Sequence, residues 1–469
     1  MEKRKDRHSK NKSKYNRRII IGIIISFSAL LAVYLGVTMF FINHFYFGTT
    51  VNCINVAGET VEEVDSQMPT KIEEYTLKLN GRGDVKDQIK GSDINLKYNS
   101  SGKIQELKDK QNPLEWITAL WDKKEIEIGD VVTYDDKLLK ECVDKLSCLD
   151  NNNVIEPKNP TFEYGSDGYK IVSEIPGSKI DKDSLYNNIV NAILKGETTL
   201  DLDAANCYEG PKYTKDSKEV SDTKDILNKY ISTKITYTFG DKSEVLDGST
   251  INKWLKVNEN LEVTFDEKEI NNYLDKLSNT YNTVGKARDF VTSLGTNIKV
   301  SGGDYGWEIN KKEELKDLIS AIKDGKTITK EPKYIQNAVA HGKNDIGNTY
   351  VEVNLSKQHL WYYKNGSLIT EGDVVTGNVS NNCGTPSGVY SLKYKERDAT
   401  LKGQGYSAPV NYWMPFNGGI GIHDASWRSV FGGNIYLTNG SHGCVNAPYN
   451  LASTIFSNID EGSPVVCYY

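Results

Sequence analysis

The sequence lacks the cationic excess of a nucleic-acid-binding protein: its formal net charge is −6 over 469 residues, which argues against nucleic acid as a partner. It also lacks the cysteine density of a small disulfide-stapled scaffold. Its seven cysteines, at 53, 142, 148, 207, 383, 444 and 467, are thinly spread and odd in number, so at least one is unpaired within the chain. Cys142 and Cys148, six apart, would not face one another on a helix. Histidine is scarce as well, at six, which leaves few candidates for a side chain that moves protons near neutral pH. The most local absence is of charge: Ile19 to Ile42 runs for 24 residues without one.

That uncharged run is long enough to matter. As a helix it spans roughly 36 Å, against a hydrocarbon core of about 30 Å. Before it, residues 1–18 carry nine cations against Glu2 and Asp6. A basic N-terminal flank places that tail in the cytoplasm and the chain from about residue 47 outside. A cleaved signal peptide has a shorter apolar segment, of about 7–15 residues. The expectation is an uncleaved single-pass anchor over 19–42.

The remainder has 26% charged and 38% apolar residues over the whole chain, the balance of a globular protein of two to four domains. Two segments, Tyr169 to Tyr213 and Tyr305 to Tyr334, resemble one another. Each opens on a strand-like piece, continues into a helix and closes on Pro-Lys-Tyr. Leu185, Ile189, Val190 and Ile193 share one helical face, as do Leu315, Leu318, Ile319 and Ile322; Gly196 and Gly325 follow as stops. Asn310 and Glu313 form a capping pair at the start of the second helix. Two α+β modules are expected, over 48–215 and 216–335, with 335–348 as a linker.

From Tyr350 the pattern turns to strands. Asn365-Gly366 between "LWYYK" and "SLITEGD" marks a tight hairpin. Residues 347–469 are expected to form a compact, mainly-β domain, and only here do histidines stand near a cysteine among glycines. "GIGIHDASW" (Gly419 to Trp427) contains His423, and "NGSHGCVNAP" (Asn439 to Pro448) contains His442 and Cys444. A thiol becomes a nucleophile when a base stands beside it, and flanking glycines let backbone approach the substrate. The residues alone leave four readings open: a Cys–His acyl-transfer site, a zinc site on His423, His442 and Cys444, a redox cysteine, and a plain β-turn.

"SHGCVN" (Ser441 to Asn446), with His423 upstream by a spacer of 17 residues, resembles the signature of the L,D-transpeptidase (YkuD-like) catalytic domain. "VVTGN" (Val374 to Asn378), "GTPSGVYSL" (Gly384 to Leu392) and "YWMPF" (Tyr412 to Phe416) agree with it in order. The two upstream segments resemble the peptidoglycan-binding modules that precede some wall transpeptidases. The fold class implied is a membrane-anchored multidomain protein, with α+β wall-facing modules followed by a mainly-β L,D-transpeptidase domain.

The resemblance implies the roles. Cys444 would be the nucleophile and His423 the general base and acid. His442 would shape the pocket, with Ser441 in support. The backbone at Asp424 and Ala425, rather than the Asp424 carboxylate, would orient His423. The Gly443 and Cys444 amides would hold an oxyanion. Asn446 stands where other members carry Arg. No metal or cofactor is implied. The partners would be donor and acceptor peptidoglycan stem peptides, the product a cross-link between third-position residues, and carbapenems would acylate the thiol. An L,D-carboxypeptidase and a non-enzymatic wall-binding scaffold are the alternatives.

Overall fold

A computed structural model describes residues 5–99, 102–128, 131–150, 154–342, 344–403 and 406–469. The first four residues of the basic tail lie outside them. The chain falls into two compact units, one of residues 1–161 with 172–217 and the other of 162–171 with 218–469.

The first unit begins with the helix Lys5–Phe40, longer at its start than the uncharged run and ending two residues before Ile42. The stop is physical: Phe41, Phe45 and Tyr46 leave the helix axis and are buried in the folded protein that follows. Deeper in the unit, Thr76–Asn80 is the central strand of a three-stranded sheet, antiparallel to Lys86–Lys90 and parallel to Thr199–Asp201. The helix Lys182–Lys195 lays Leu185, Ile189 and Ile193 on the core that contains Leu77, Leu79 and Ile89. It stops at Gly196, in the left-handed region at φ 71°, where a Cβ would come within 2.2 Å of the Asn52 carbonyl oxygen, so that only glycine fits.

The second unit opens with the same topology. Lys234–Phe239 is central, antiparallel to Lys242–Leu246 and parallel to Thr327–Lys330. The returning helix Lys311–Asp324 starts on Asn310, whose side chain accepts from the Glu313 N–H, and ends on left-handed Gly325. Leu318 and Ile322 carry its buried face. The resemblance between the two segments in sequence is thus a resemblance of topology.

The mainly-β part is built from two sheets. In the five-stranded sheet the order is Ser367–Asp373, His359–Lys364, Tyr350–Asn354, Pro464–Tyr468, Gly388–Ser391. The hairpin between the first two turns on Asn365 and Gly366, both at positive φ, the type I′ geometry that matches strand twist. The four-stranded sheet runs Glu396–Gly403, Tyr406–Asn417, Ile420–Asp424, Val445–Ala447. Val351, Val353, Leu360, Met414, Phe416, Ile422, Val445, Ile455 and Val465 share one core between them.

The stretch expected as a linker departs from that expectation. Asp345 and Ile346 are buried. The Asp345 carboxylate takes two hydrogen bonds from Arg288, at 2.6 and 2.9 Å, and the Arg288 guanidinium also donates to the carbonyls of Lys286 and Tyr305. The Tyr305 hydroxyl in turn donates to the Asp345 carbonyl. Beside it, buried Glu352 accepts from the Ser293 N–H and hydroxyl and from the Tyr468 hydroxyl. The α+β and mainly-β parts of this unit are therefore joined through a satisfied polar core, not through a loose connection.

Candidate active site

The last two strands of the four-stranded sheet place the two candidate residues. Ile420–Asp424 and Val445–Ala447 run parallel, with Ile422 opposite Val445 and His423 opposite Asn446. Side chains alternate across a sheet, so Ile422 and Val445 enter the core while His423 turns to the other face. Cys444, one residue before Val445, turns to that same face and packs beside Ala399, Val410 and Trp413. His423 and Cys444 line one cavity of about 460 Å³, together with Trp427, Arg428, Ser441, His442 and Asn446.

His423 is buried, 3% exposed. Its Nδ1 lies 2.8 Å from the Asp424 carbonyl oxygen. That contact requires the proton on Nδ1 and leaves Nε2 with its lone pair, able to accept a proton. The Asp424 carboxylate is spent elsewhere: it accepts from the Asn411 N–H and side-chain amide and from the Tyr412 N–H, all at 2.8–2.9 Å. Burial lowers the His423 pKa below its ordinary 6.5; the Asp424 contacts oppose the shift and the Arg428 charge adds to it. Burial pushes the Cys444 thiol the other way, up to about 11, with a hydrogen bond from the Gly421 backbone working against it. At neutral pH these shifts favour a neutral thiol beside a neutral imidazole. The arrangement suits a thiol that gives up its proton as it attacks.

The turn that carries the thiol is clamped from both sides. The Ser441 hydroxyl donates to the Cys444 carbonyl at 2.6 Å and accepts from the Gly443 N–H at 3.0 Å. The Gly443 N–H, expected as an oxyanion donor, is engaged in this structure by a hydroxyl two residues back. Gly443 sits at φ 121°, which a side chain rarely tolerates. Thr385 donates to the Gly443 carbonyl at 2.6 Å and accepts from the Gly377 N–H. Thr385 lies in a supporting sequence motif that by itself assigns it no task; the Gly-Thr-Pro turn is its only sequence signal. His442 is exposed on the cavity wall. Arg428, one residue past the quoted His423 motif, was missed. Its Nε and the Oδ1 of Asn446 are buried on the cavity wall without a hydrogen-bond partner among the described residues.

Among the described residues no three His, Cys, Asp or Glu side chains come together as a group able to hold a metal ion, so the zinc arrangement of His423, His442 and Cys444 is not assembled. His359 lies away from the cavity, its Nδ1 2.6 Å from Asp373 across the hairpin. All seven cysteines are free thiols.

Residues 348–467 match the L,D-transpeptidase catalytic domain family (YkuD). Residues 88–201 and 213–330 each match a family described as a putative peptidoglycan binding domain. No curated protein matches the chain. Among solved structures, the chain is 34% identical to an Enterococcus faecium L,D-transpeptidase crystallised as a cysteine-to-serine mutant; the likeness covers 54% of this chain and 100% of that one, with a TM-score of 0.45. It is 44% identical to the E. faecium catalytic domain solved by NMR after acylation by ertapenem, over 26% of this chain and 98% of that one, with a TM-score of 0.25. The mainly-β domain is thus that of a cysteine-nucleophile acyl-transfer enzyme. The chain belongs to the L,D-transpeptidase family.

Proposed function

We propose that this chain joins peptidoglycan stem peptides through their third-position residues, with Cys444 as nucleophile and His423 as base and acid. The observation that carries the proposal is the pairing of a thiol and a tautomer-fixed imidazole on the wall of one cavity. The thiol sulfur attacks the carbonyl that joins the third-position residue to the terminal D-alanine, and its proton passes to His423 Nε2. The carbon–nitrogen bond then breaks, and the same proton leaves with the amine of D-alanine. The resulting thioester is attacked by the side-chain amine of a second stem, whose lost proton returns to the thiol through His423. Atoms balance, and no oxidant or metal is needed. The Cys444 N–H is the remaining main-chain candidate for the oxyanion, with His442 shaping the mouth of the cavity. Carbapenem β-lactams would acylate the same sulfur.

The wider architecture supports the same reading. Tyr15–Phe40 is long and apolar enough to cross a membrane, and we propose it as a single-pass anchor with its basic end in the cytoplasm. Residues 48–215 and 216–335 then form two wall-facing modules and 347–469 the catalytic domain, outside the membrane with its substrate. The test is muropeptide analysis of isolated cell wall incubated with the enzyme. Wild type is expected to generate third-to-third cross-links and release D-alanine, and Cys444→Ala to generate neither while keeping its circular dichroism. Undiminished cross-linking by the variant would sink the assignment.

A further inference from the structure

The segment after the short helix Lys103–Asp109 of the first unit, residues 112–121, reads "NPLEWITALW". It forms two short turns of 3-10 helix, Pro113–Glu115 and Thr118–Leu120. One side of it is fastened to the end of the long N-terminal helix. Trp116 packs on Tyr34 and Phe41, and Ala119 shares a small buried cluster with Phe41 and Tyr46. The Tyr34 hydroxyl donates to the Leu114 carbonyl at 2.6 Å. The attachment continues past the helix end. Buried Lys108 donates to the Phe41 carbonyl at 2.9 Å, and the Gln111 amide donates to the carbonyls of Phe41 and His44.

The other side of the segment faces solvent, and it is apolar. Leu114, Ile117, Leu120 and Trp121 are all exposed, Trp121 to 81%. Four large apolar side chains in eight residues would be an aggregation liability on a soluble surface. Their place in the fold removes that liability. Tyr34 lies six residues inside the helix that ends at Phe40, roughly 9 Å back from its end at 1.5 Å per residue. Leu114, bonded to Tyr34, therefore sits at the depth of the last turns of the apolar helix. Those turns present their own exposed Leu30, Leu31, Val33 and Leu35 beside it. Asp122, Lys123 and Lys124 follow at once, so the apolar stretch ends in charge. An aromatic residue followed by lysines is the composition of a membrane–water boundary.

We infer that residues 113–121 form a second membrane contact: a wedge of Leu114, Ile117, Leu120 and Trp121 that enters the outer leaflet beside the anchor helix. The inference rests on the anchor reading above. It adds that the anchor is not a tether with a free joint, because the lipid-facing surface includes a part of the folded domain.

The test uses the full chain reconstituted into vesicles of phosphatidylcholine and phosphatidylglycerol whose acyl chains carry bromine, with flotation as a control for anchoring. Tryptophan emission is compared between wild type and Trp121→Phe, and the difference isolates Trp121. The expected result is that the difference emission is quenched by brominated lipid, is spared by aqueous iodide, and accounts for most of the lipid-quenchable signal. A chain that floats but whose Trp121 emission is quenched by iodide and not by bromine overturns the wedge and leaves the anchor standing. Floating with Trp121 shielded from both quenchers assigns the face to a protein surface, and also overturns the wedge. A chain that fails to float overturns the anchor and the wedge with it.

Discussion

The proton inventory of His423 and Cys444 decides how the site can start. Both groups are held neutral by burial, so reactivity depends on the imidazole staying unprotonated and not on a standing thiolate. The folded-state pKa of His423 is lowered, so the proposed base is unprotonated at neutral pH and gains its proton only as pH falls through a value under 6.5. Alkylation of Cys444 by iodoacetamide should therefore follow the His423 titration in wild type. In His423→Ala that step should vanish, leaving one rise toward the intrinsic thiol value near 11. Arg428→Met should move the wild-type step upward, because the neighbouring cation disfavours imidazolium. A profile of alkylation rate against pH that His423→Ala leaves unchanged would remove the base assignment.

At this scale the sequence is legible where chemistry needs a particular side chain. Thiol acyl transfer pairs a cysteine with an imidazole, so Cys444 and His423 stand out by type and spacing. The engagement of the Gly443 N–H is not legible. It depends on the rotamer of Ser441, and a serine two residues from a glycine carries no such message. Arg428 was passed over for a similar reason: an arginine beyond a motif is ordinarily a solvated cation, and only the fold leaves its Nε buried.

Among elements, local patterns translate well because their physics is local. Asn310 caps its helix and Asn365-Gly366 turns its hairpin, since each needs only neighbours in the chain. The segment 335–348 misleads because its partner is far away. Asp345 reads as a solvated charge in a Gly- and Asn-containing stretch, yet it is paired with Arg288, 57 positions earlier. Both side chains are under 5% exposed. A buried pair adds little net stability when whole but is costly to break on one side, at about 3–5 kcal/mol. Asp345→Ala is accordingly expected to lower the unfolding free energy of the second unit by that order, whereas substitution of the exposed Lys299–Asp289 pair should cost no more than about 1 kcal/mol. Equal effects in urea melts followed by tryptophan fluorescence would contradict the structural role assigned to the pair.

For the molecule as a whole, the repeated topology is the informative feature. The same arrangement of a hairpin, a returning helix and a parallel third strand occurs twice before the catalytic domain. Neither copy carries any of the proposed catalytic groups, and both match a family described as a putative peptidoglycan binding domain. The detergent-solubilised Cys444→Ala chain is expected to co-sediment with insoluble sacculi, and excess soluble wall fragments should release it. Recovery wholly in the supernatant would leave the two modules as spacers. The repeat itself was legible, because two glycine stops and two Pro-Lys-Tyr endings are sequence-level punctuation. The shared strand order was not, since parallel pairing joins strands more than a hundred residues apart in the first copy.

The hydrogen bond from His423 Nδ1 to the Asp424 carbonyl has a consequence for genetics. A third member supplied by a side chain can be erased by one codon change. A third member supplied by the main chain is present whatever residue the codon specifies. Selection acting on this site can therefore discard the proposed nucleophile or the proposed base in a single step, but it can loosen the orienting contact only by moving the strand that bears it. Inactivating alleles at position 424 would act through the Asn411 and Tyr412 amides that its carboxylate holds, and would be lesions of shape before they were lesions of chemistry.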